Sequence, residues 1–199
     1  MIESLDELHA LYGTPTAPAT RKTATQIVPV YRRWINRSRF CVLTTVGPEG
    51  TDGSPRGDEG PVVTEIDEKT LAMPDWRGNQ RLDSLRNIVR DPRVSLMFMI
   101  PGCTNVVRIN GRATLTADPD MRARFDRKGI QPTSVIVIAI DEIYFQCARA
   151  LMRSRLWVAG DESQGLPSPG EMLKEMTGGQ VGGATYDAEW PERAAKTMW

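Results

Sequence analysis

Residues 93–116, RVSLMFMIPGCTNVVRINGRATLT, decide the fold class of this chain. Their first part, 93–100, alternates apolar with more polar side chains at the two-residue period of a β-strand. Pro101-Gly102 is a turn signal, and a second alternating segment follows at 105–116. Two such segments around a short turn predict an antiparallel pair of strands in the middle of the chain.

Strand-like segments continue on both sides of this pair. Upstream, residues 39–46 form one predicted strand, which ends at the turn signal Gly47-Pro48-Glu49-Gly50. A second strand follows, which contains SPRGD (54–58) and continues over 62–66. A short strand at 70–73 is predicted to pair with it. Downstream, residues 133–146 are apolar on both faces, which predicts a central strand. About six strands in mostly hairpin succession predict an antiparallel barrel.

Helical patterns surround and interrupt the strands. Helices are predicted at 4–12, 25–37, 79–90, 118–129, 147–156 and 168–176, and a linker at 14–25. Because strands and helices do not alternate regularly, a doubly wound α/β fold is excluded. The predicted class is α+β, a mainly antiparallel barrel with peripheral helices.

Composition excludes several classes of function. The chain has 199 residues, and 25 Lys and Arg balance 25 Asp and Glu, so nothing suggests nucleic-acid binding as the main activity. No apolar stretch is long enough to cross a membrane, and the acidic N-terminus does not resemble a signal peptide. Three widely spaced cysteines argue against disulfides and structural zinc. We therefore expect a cytoplasmic protein without membrane contact.

The histidine count is the most informative number. His9, in the predicted N-terminal helix, is the only histidine in the sequence. Catalytic triads, Cys-His pairs and the common zinc and iron sites all need a histidine in the folded core. We expect no metal site, and if the protein is an enzyme, a bound cofactor supplies the chemistry.

The strongest candidate site combines three segments. Ser54, Arg56 and Asp58 alternate on one face of a strand, and Arg77, Asn79 and Arg81 surround the start of the 79–90 helix. A helix N-terminus flanked by arginines suits a phosphate. Met73-Pro74-Asp75 is a strand end that could offer backbone groups to a planar ring. The alternative is that these arginines pair with Asp75, Asp83 and Asp91 on a solvated face.

A second candidate lies in the 147–156 helix. Arg149 and Arg153 are four residues apart and share a helix face, with Trp157 one turn further on. Arginine beside an aromatic side chain suits a flat, electron-rich ring. The alternative is a surface helix with one buried tryptophan. Without a histidine partner, Cys147 is interpreted as a buried small hydrophobe rather than a nucleophile.

The ordered blocks of the sequence resemble a known family. They are FCVLTT (40–45), SPRGD (54–58), TLAMPD (70–75), GNQRLDSLRNI (78–88), DPRVSLMFMIPG (91–102), VRINGRA (107–113) and FQCARALMRSRLW (145–157). This set is similar to the pyridoxamine 5′-phosphate oxidase-like flavoproteins over about residues 25–160, more narrowly to a bacterial subfamily of FMN-dependent enzymes. The resemblance implies an FMN-binding split β-barrel, built as a homodimer with two flavins at the subunit interface.

The resemblance also assigns roles to residues. Arg56, together with the segment Asn79-Gln80-Arg81, takes the place of the family's phosphate contacts, and Met73-Pro74-Asp75 takes the strand end along the flavin ring. The family's Gln-Val-Arg segment is Val106-Val107-Arg108 here, so Thr104 or Asn105 substitutes for the glutamine. The cofactor-binding residues expected in all are Ser54, Arg56, Met73, Pro74, Asp75, Asn79, Gln80, Arg81, Thr104, Asn105, Arg153 and Trp157.

We therefore expect an FMN-dependent oxidoreductase acting on a small organic molecule. The chain lacks the late histidine with which pyridoxamine phosphate oxidases hold their substrate, which counts against vitamin B6 oxidation. The alternatives are a non-catalytic flavin-binding or sensing module, and the same fold with deazaflavin or haem.

The predicted organisation has three parts. Residues 1–24 form an N-terminal helix and linker, 25–160 the flavin-binding domain, and 161–199 a C-terminal extension. The extension has too few aliphatic residues to build its own core. Its amphipathic helix at 168–176 is expected to pack on the barrel or on the partner subunit.

Overall fold

The computed structural model describes residues 1–147 and 149–199. Its strands are β1 (Phe40–Gly47), β2 (Gly50–Gly57), β3 (Thr64–Asp67), β4 (Thr70–Asp75), β5 (Arg93–Met99), β6 (Asn105–Thr116) and β7 (Ser134–Cys147). They form one antiparallel sheet in the order β2-β1-β5-β6-β7-β4-β3. The predicted α+β class is confirmed, as is the β5–β6 pair.

The core lies inside the curved sheet. Side chains of every strand except β2 and β3 contribute to one buried cluster, in which the long central strand β7 supplies Ile136, Ile138 and Ile143. Between Asn110 and Gly111 the β6–β7 register shifts by a bulge. A Cβ at Gly111 would overlap the carbonyl oxygen of Ala139, so this bend of the sheet requires glycine.

β2, the strand at one end of the sheet, approaches β4, the last strand but one at the other end, without pairing with it through the backbone. Arg56 in β2 and Asp75 in β4 form an ion pair of 2.7 Å between Nη1 and Oδ1. Just beyond these strands, the Trp76 Nε1–H donates to Asp58 Oδ2 at 3.1 Å. Side chains therefore close the barrel where strand hydrogen bonds do not, which makes it a split barrel. We call the gap between β2 and β4 the slit.

The helices lie around this barrel. They are α1 (Leu5–Tyr12), α2 (Ala17–Arg21), α3 (Pro29–Ile35), α4 (Asp83–Arg90), α5 (Pro119–Ala123), α6 (Arg149–Arg153), α7 (Pro169–Met176) and α8 (Ala184–Thr197). Helix α4 packs on β1 and β2, where Ser84 Oγ donates to Asp52 at 2.6 Å and Asn87 to Thr45 at 3.1 Å. Within the described residues, no helix combines the length and the hydrophobicity needed to cross a bilayer.

Several predicted helix boundaries are wrong. The predicted linker 14–25 contains helix α2. Helix α3 begins only at Pro29, which suits the first turn because proline lacks an N–H. Helix α4 begins at Asp83 rather than at 79, since Gln80 and Leu82 are left-handed with φ of 61°. The predicted helix 118–129 is only the short α5, and Ala148 of the predicted helix 147–156 lies outside the described residues.

The C-terminal extension forms a helical hairpin. The predicted helix at 168–176 is α7, and it begins with a full capping box between Ser168 and Glu171. Helix α8 was missed by the sequence prediction. Its Asp187 accepts hydrogen bonds from Ser168 Oγ at 2.5 Å and from the Gly170 N–H at 2.8 Å, which ties α8 to α7. Beyond α8, the Trp199 ring contacts Trp76 on the barrel.

Candidate functional site

Arg56 is the central residue of the candidate site. It lies opposite the fully buried Cys41 in the β1–β2 register, so both side chains share the inner face of the sheet. Only 19% of the Arg56 side chain and 14% of the Asp75 side chain are exposed. The Arg56 Nε is buried and has no hydrogen-bond partner in the described part of the chain. The Arg56 guanidinium is thus available inside the slit to donate a hydrogen bond from Nε.

Cys41 is held in its neutral form beside this arginine. Burial raises the pKa of its thiol to about 12, and the nearby Arg56 charge opposes the rise without overcoming it. A neutral, fully buried thiol is a poor nucleophile. Cys147 is exposed at the end of β7, so its prediction as a buried residue is wrong. In the described residues no cluster of His, Cys, Asp and Glu could hold a metal ion.

The end of β4 has one free edge. β3 pairs with β4 only as far as Ala72, whereas β7 pairs with it through Asp75. Met73 is 1% exposed as a whole residue and belongs to the core, and Pro74 is buried as well. Beyond Ala72, β4 thus has one edge that no described strand covers, and Pro74 is the residue whose backbone faces it. Ser54 lies on the Arg56 face of β2, half-buried.

The segment Asn79-Gln80-Arg81 is an exposed turn ahead of α4. The Arg81 N–H donates to Asn79 Oδ1 at 3.1 Å, and the Arg81 guanidinium pairs with Asp83 at 2.8 Å with 74% of its side chain exposed. The N-cap position, Leu82, supplies no side-chain bond to the first turn of α4. The N–H groups of that turn therefore remain without a side-chain acceptor, as an anion site requires.

The remaining predicted residues form a second group. Thr104 and Asn105 are exposed at the start of β6, and the Trp157 Nε1–H donates to the Cys103 carbonyl oxygen at 2.8 Å. Arg153 is exposed in α6. Trp157 is thus half-buried and contacts Cys103, the residue before Thr104.

The two groups lie at different ends of the barrel. Asp75 pairs with Ser134 and Asn105 with Cys147, at opposite ends of the 14-residue strand β7. At 3.3 Å per residue this is roughly 45 Å along the strand. No hydrogen bond or ion pair between the described residues joins the groups.

Sequence reasoning singled out Asp58 on the Arg56 face but missed its partners Trp76 and Arg127. Asp58 lies at the slit with its side chain 5% exposed, and it bonds to Trp76 and to Arg127 of the α5–β7 connection. Pro74, Phe125 and these three residues line part of a cavity of about 270 Å³. Trp76 directly follows the predicted 73–75 segment, a signal that could have found it. Nothing near Arg127 in the sequence indicates its partner, because the contact is long-range.

Known proteins with the same barrel are found by comparison. Two crystal structures of HupZ from Group A Streptococcus, one of them a variant, match with TM-scores of 0.51 and 0.50 at 18% and 17% identity. The matches cover 60% and 61% of this chain and 99% and 95% of the HupZ chains. General stress protein 26 from Bacillus anthracis matches with a TM-score of 0.45 at 17% identity, over 57% of this chain and 88% of its own.

The family is shown by sequence. No curated protein matches the chain significantly. The family model described as pyridoxamine 5′-phosphate oxidase matches residues 27–147, more than half of the chain. This range contains all seven strands of the barrel, both edges of the slit and the turn ahead of α4. The chain therefore belongs to the pyridoxamine 5′-phosphate oxidase family.

Proposed function

We propose that this protein binds FMN at the slit and acts, as a homodimer, as an FMN-dependent oxidoreductase on a small organic molecule. One observation carries the proposal. Arg56 is a mostly buried cation whose Nε has no partner in the described part of the chain, and it pairs with Asp75 at the end of β4, beyond the point where β3 stops covering that strand. A buried donor without a partner is costly, so a ligand acceptor at this place stabilises the protein.

The residues present fit a phosphate. Arg56 offers a charged donor, and the turn Asn79-Gln80-Arg81 precedes a helix terminus without a side-chain cap. The Arg81–Asp83 pair is largely exposed, and such pairs contribute little, so Arg81 can exchange Asp83 for a phosphate oxygen at small cost. Asp75 balances the Arg56 charge while the phosphate is absent.

The edge of β4 that β3 leaves uncovered offers one acceptor to the polar rim of a flavin ring. Pro74 faces this edge and offers only its C=O, because it lacks an N–H, whereas the backbone groups of Met73 and Asp75 point to β7 on the other side. Bound FMN would supply the transfer of a hydride or of electrons. The chain's own residues bind and orient the ring and exclude water from it. The neutral Cys41 thiol takes no part in proton transfer at physiological pH.

Two observations support a homodimer. The cavity of about 270 Å³ beside the slit is smaller than the roughly 300–1,000 Å³ of typical small-molecule pockets, so a second surface is needed to enclose a flavin. The group formed by Thr104, Asn105, Arg153 and Trp157 lies at the far end of β7, where it could serve only the flavin of a partner. C₂ dimers are also the commonest oligomers.

The cofactor assignment is tested by titrating the purified protein with FMN and following flavin fluorescence. The wild type should quench it, and Arg56→Ala should bind about tenfold or more weakly, because a hydrogen bond to a charged group contributes about 1.5–3 kcal/mol. Arg32→Ala is the matched control, since Arg32 forms a comparable pair with Glu65 away from the slit. Equal affinities of both variants, or no quenching by the wild type, would contradict the assignment.

Turnover is tested on the flavin-loaded protein. Bleaching of the flavin spectrum by NAD(P)H or a substrate, followed by reoxidation, supports an oxidoreductase. Reduced flavin that no acceptor reoxidises would instead indicate a non-catalytic flavin-binding module. Parallel titrations with a deazaflavin and with haem distinguish the cofactors. If the protein binds either of them more tightly than FMN, that molecule takes the place of FMN in this proposal. Light scattering of the loaded protein tests the dimer, which a mass near 22.2 kDa would refute.

A further inference from the structure

We propose that Trp76 and Arg127 form a binding subsite for a planar aromatic ring, and that Trp199 fills this subsite as an internal competitor. We call the pair the Trp76–Arg127 corner. The inference deepens the proposed function by naming a planar aromatic molecule as the substrate class. Only the role of the ring as substrate rests on that function, because binding at the corner does not need a flavin.

The corner is held rigidly by a buried carboxylate. Asp58 accepts hydrogen bonds from Trp76 Nε1 and from the Gly60 N–H, both at 3.1 Å, and it also pairs with Arg127. The indole and the guanidinium are thus fixed by the same side chain. Asp58 is therefore a positioning residue for both members of the corner.

The backbone of Arg127 is equally constrained. The Arg127 N–H donates to the Ile130 carbonyl oxygen at 2.8 Å, and the Ile130 N–H donates back at 3.0 Å. Lys128 and Gly129 between them are left-handed, with φ of 54° and 88°. This is the pattern of a tight two-residue turn, which presents Arg127 in one orientation.

Trp199 shows what the corner binds. The Arg127 guanidinium carbon lies 4.0 Å from the Trp199 ring centroid, and the Trp76 and Trp199 rings meet edge to face at 5.2 Å. These are the distances of cation–π and aromatic pairs. Because Asp58 and Glu59 already pair with Arg127, the corner favours the face of a ring over an anion.

The corner adjoins the proposed flavin site. Trp76 follows Asp75, the partner of Arg56, and Asp58 is two residues beyond Arg56. The cavity of about 270 Å³ runs from Pro74 past Trp76 to Phe125, so a ring in the corner would lie beside these three side chains in a lining that is otherwise largely polar. A substrate ring held here would lie next to the β4 edge proposed for the flavin.

Trp199 competes with free aromatic molecules for the corner because it is covalently attached to the same protein. The ring is joined to the barrel through α8, and a tethered group acts at an effective concentration in the millimolar range. A free aromatic molecule therefore binds weakly until Trp199 leaves. Its removal should expose the corner.

The test is calorimetric titration of the full-length, flavin-free protein with indole. Trp199→Ala should bind indole about tenfold more tightly than the wild type. Trp190→Ala is the matched control, because Trp190 lies on α8 and contacts Arg193 rather than the corner, and it should keep the wild-type affinity. Adding Arg127→Lys to Trp199→Ala should abolish the gain, since lysine keeps the charge but loses the flat stacking surface.

Two results would overturn the inference. One is a folded Trp199→Ala protein, verified by its thermal melt, that binds indole no better than Trp190→Ala. The other is a gain that survives Arg127→Lys, which would place indole elsewhere. If Trp199→Ala does not fold, Trp199→Leu retains an apolar side chain but lacks the ring that contacts Arg127 and Trp76, and it carries the same expectation. A separate FMN titration of each variant distinguishes the two proposals, because failure to bind FMN leaves the indole result unaffected.

Discussion

Arg56 and Asp75 lie 2.7 Å apart, although the four strands β1, β5, β6 and β7 stand between β2 and β4 in the sheet. The pair therefore spans the slit and connects the two ends of the sheet. Loss of this ion pair should therefore destabilise the whole barrel.

We expect Asp75→Asn to lower the free energy of unfolding by about 1–3 kcal/mol, because it leaves the Arg56 guanidinium mostly buried without its counter-charge. Urea unfolding of both single variants and of Arg56→Ala/Asp75→Asn measures the coupling. A coupling of about 0.5 kcal/mol or more is expected for groups in direct contact. Strictly additive effects would show that the pair does not connect the sheet ends.

Gly111→Ala should destabilise the protein by about 1–3 kcal/mol or more, the usual cost of forcing extra bulk into a packed site. The added Cβ would overlap the Ala139 carbonyl oxygen and disturb the β6–β7 bulge. Gly53→Ala is the control, since a Cβ there meets nothing within 4 Å. Chemical unfolding measures both variants, and equal losses would contradict the role of the bulge.

Low pH should lower the free energy of unfolding, in part because Asp91 becomes protonated. The Arg93 guanidinium and backbone N–H donate to this carboxylate and lower its pKa from 3.8 to about 2. A lowered folded-state pKa contributes stability that is complete above about pH 4 and is lost as the pH falls towards 2. Urea midpoints across this window should fall less for Asp91→Asn and Arg93→Ala than for the wild type. Identical slopes would exclude this contribution.

The cysteines should differ in reactivity. Cys147 is exposed, whereas Cys41 is fully buried with a thiol pKa of about 12. Iodoacetamide at pH 8 should therefore modify Cys147 in the native protein and spare Cys41, which reacts only after unfolding. Mass spectrometry of timed samples locates the label. Labelling of both at similar rates would mean that the barrel opens readily around β1.

The strands could be predicted because each carries its own periodic pattern. β5, β6 and β7 were located within about one residue, since alternation and turn signals are local properties. Helix α8 was missed because its sequence contains Pro191 and begins without a side-chain cap. The late start of α4 depends on the left-handed Gln80 and Leu82, which no propensity favours at non-glycine residues.

The candidate site could be predicted only one segment at a time. Arg56 and residues 73–75 were each singled out, but the ion pair that joins them follows from how the sheet closes. Asp58, Trp76 and Arg127 meet through contacts between distant segments, so no local pattern connects the three side chains. The free edge of β4 depends on where β3 stops pairing, which the pattern of β3 does not show.

The free edge of β4 also affects how separate molecules of this protein behave. An uncovered strand edge is a template on which another chain can add a strand, which is a route to aggregation. Pro74 has no N–H and therefore removes one rung of any such ladder, and the Arg56–Asp75 ion pair lies next to it. A protein can thus keep a strand edge open for a ligand while discouraging edge-to-edge association, and replacing Pro74 would weaken that protection.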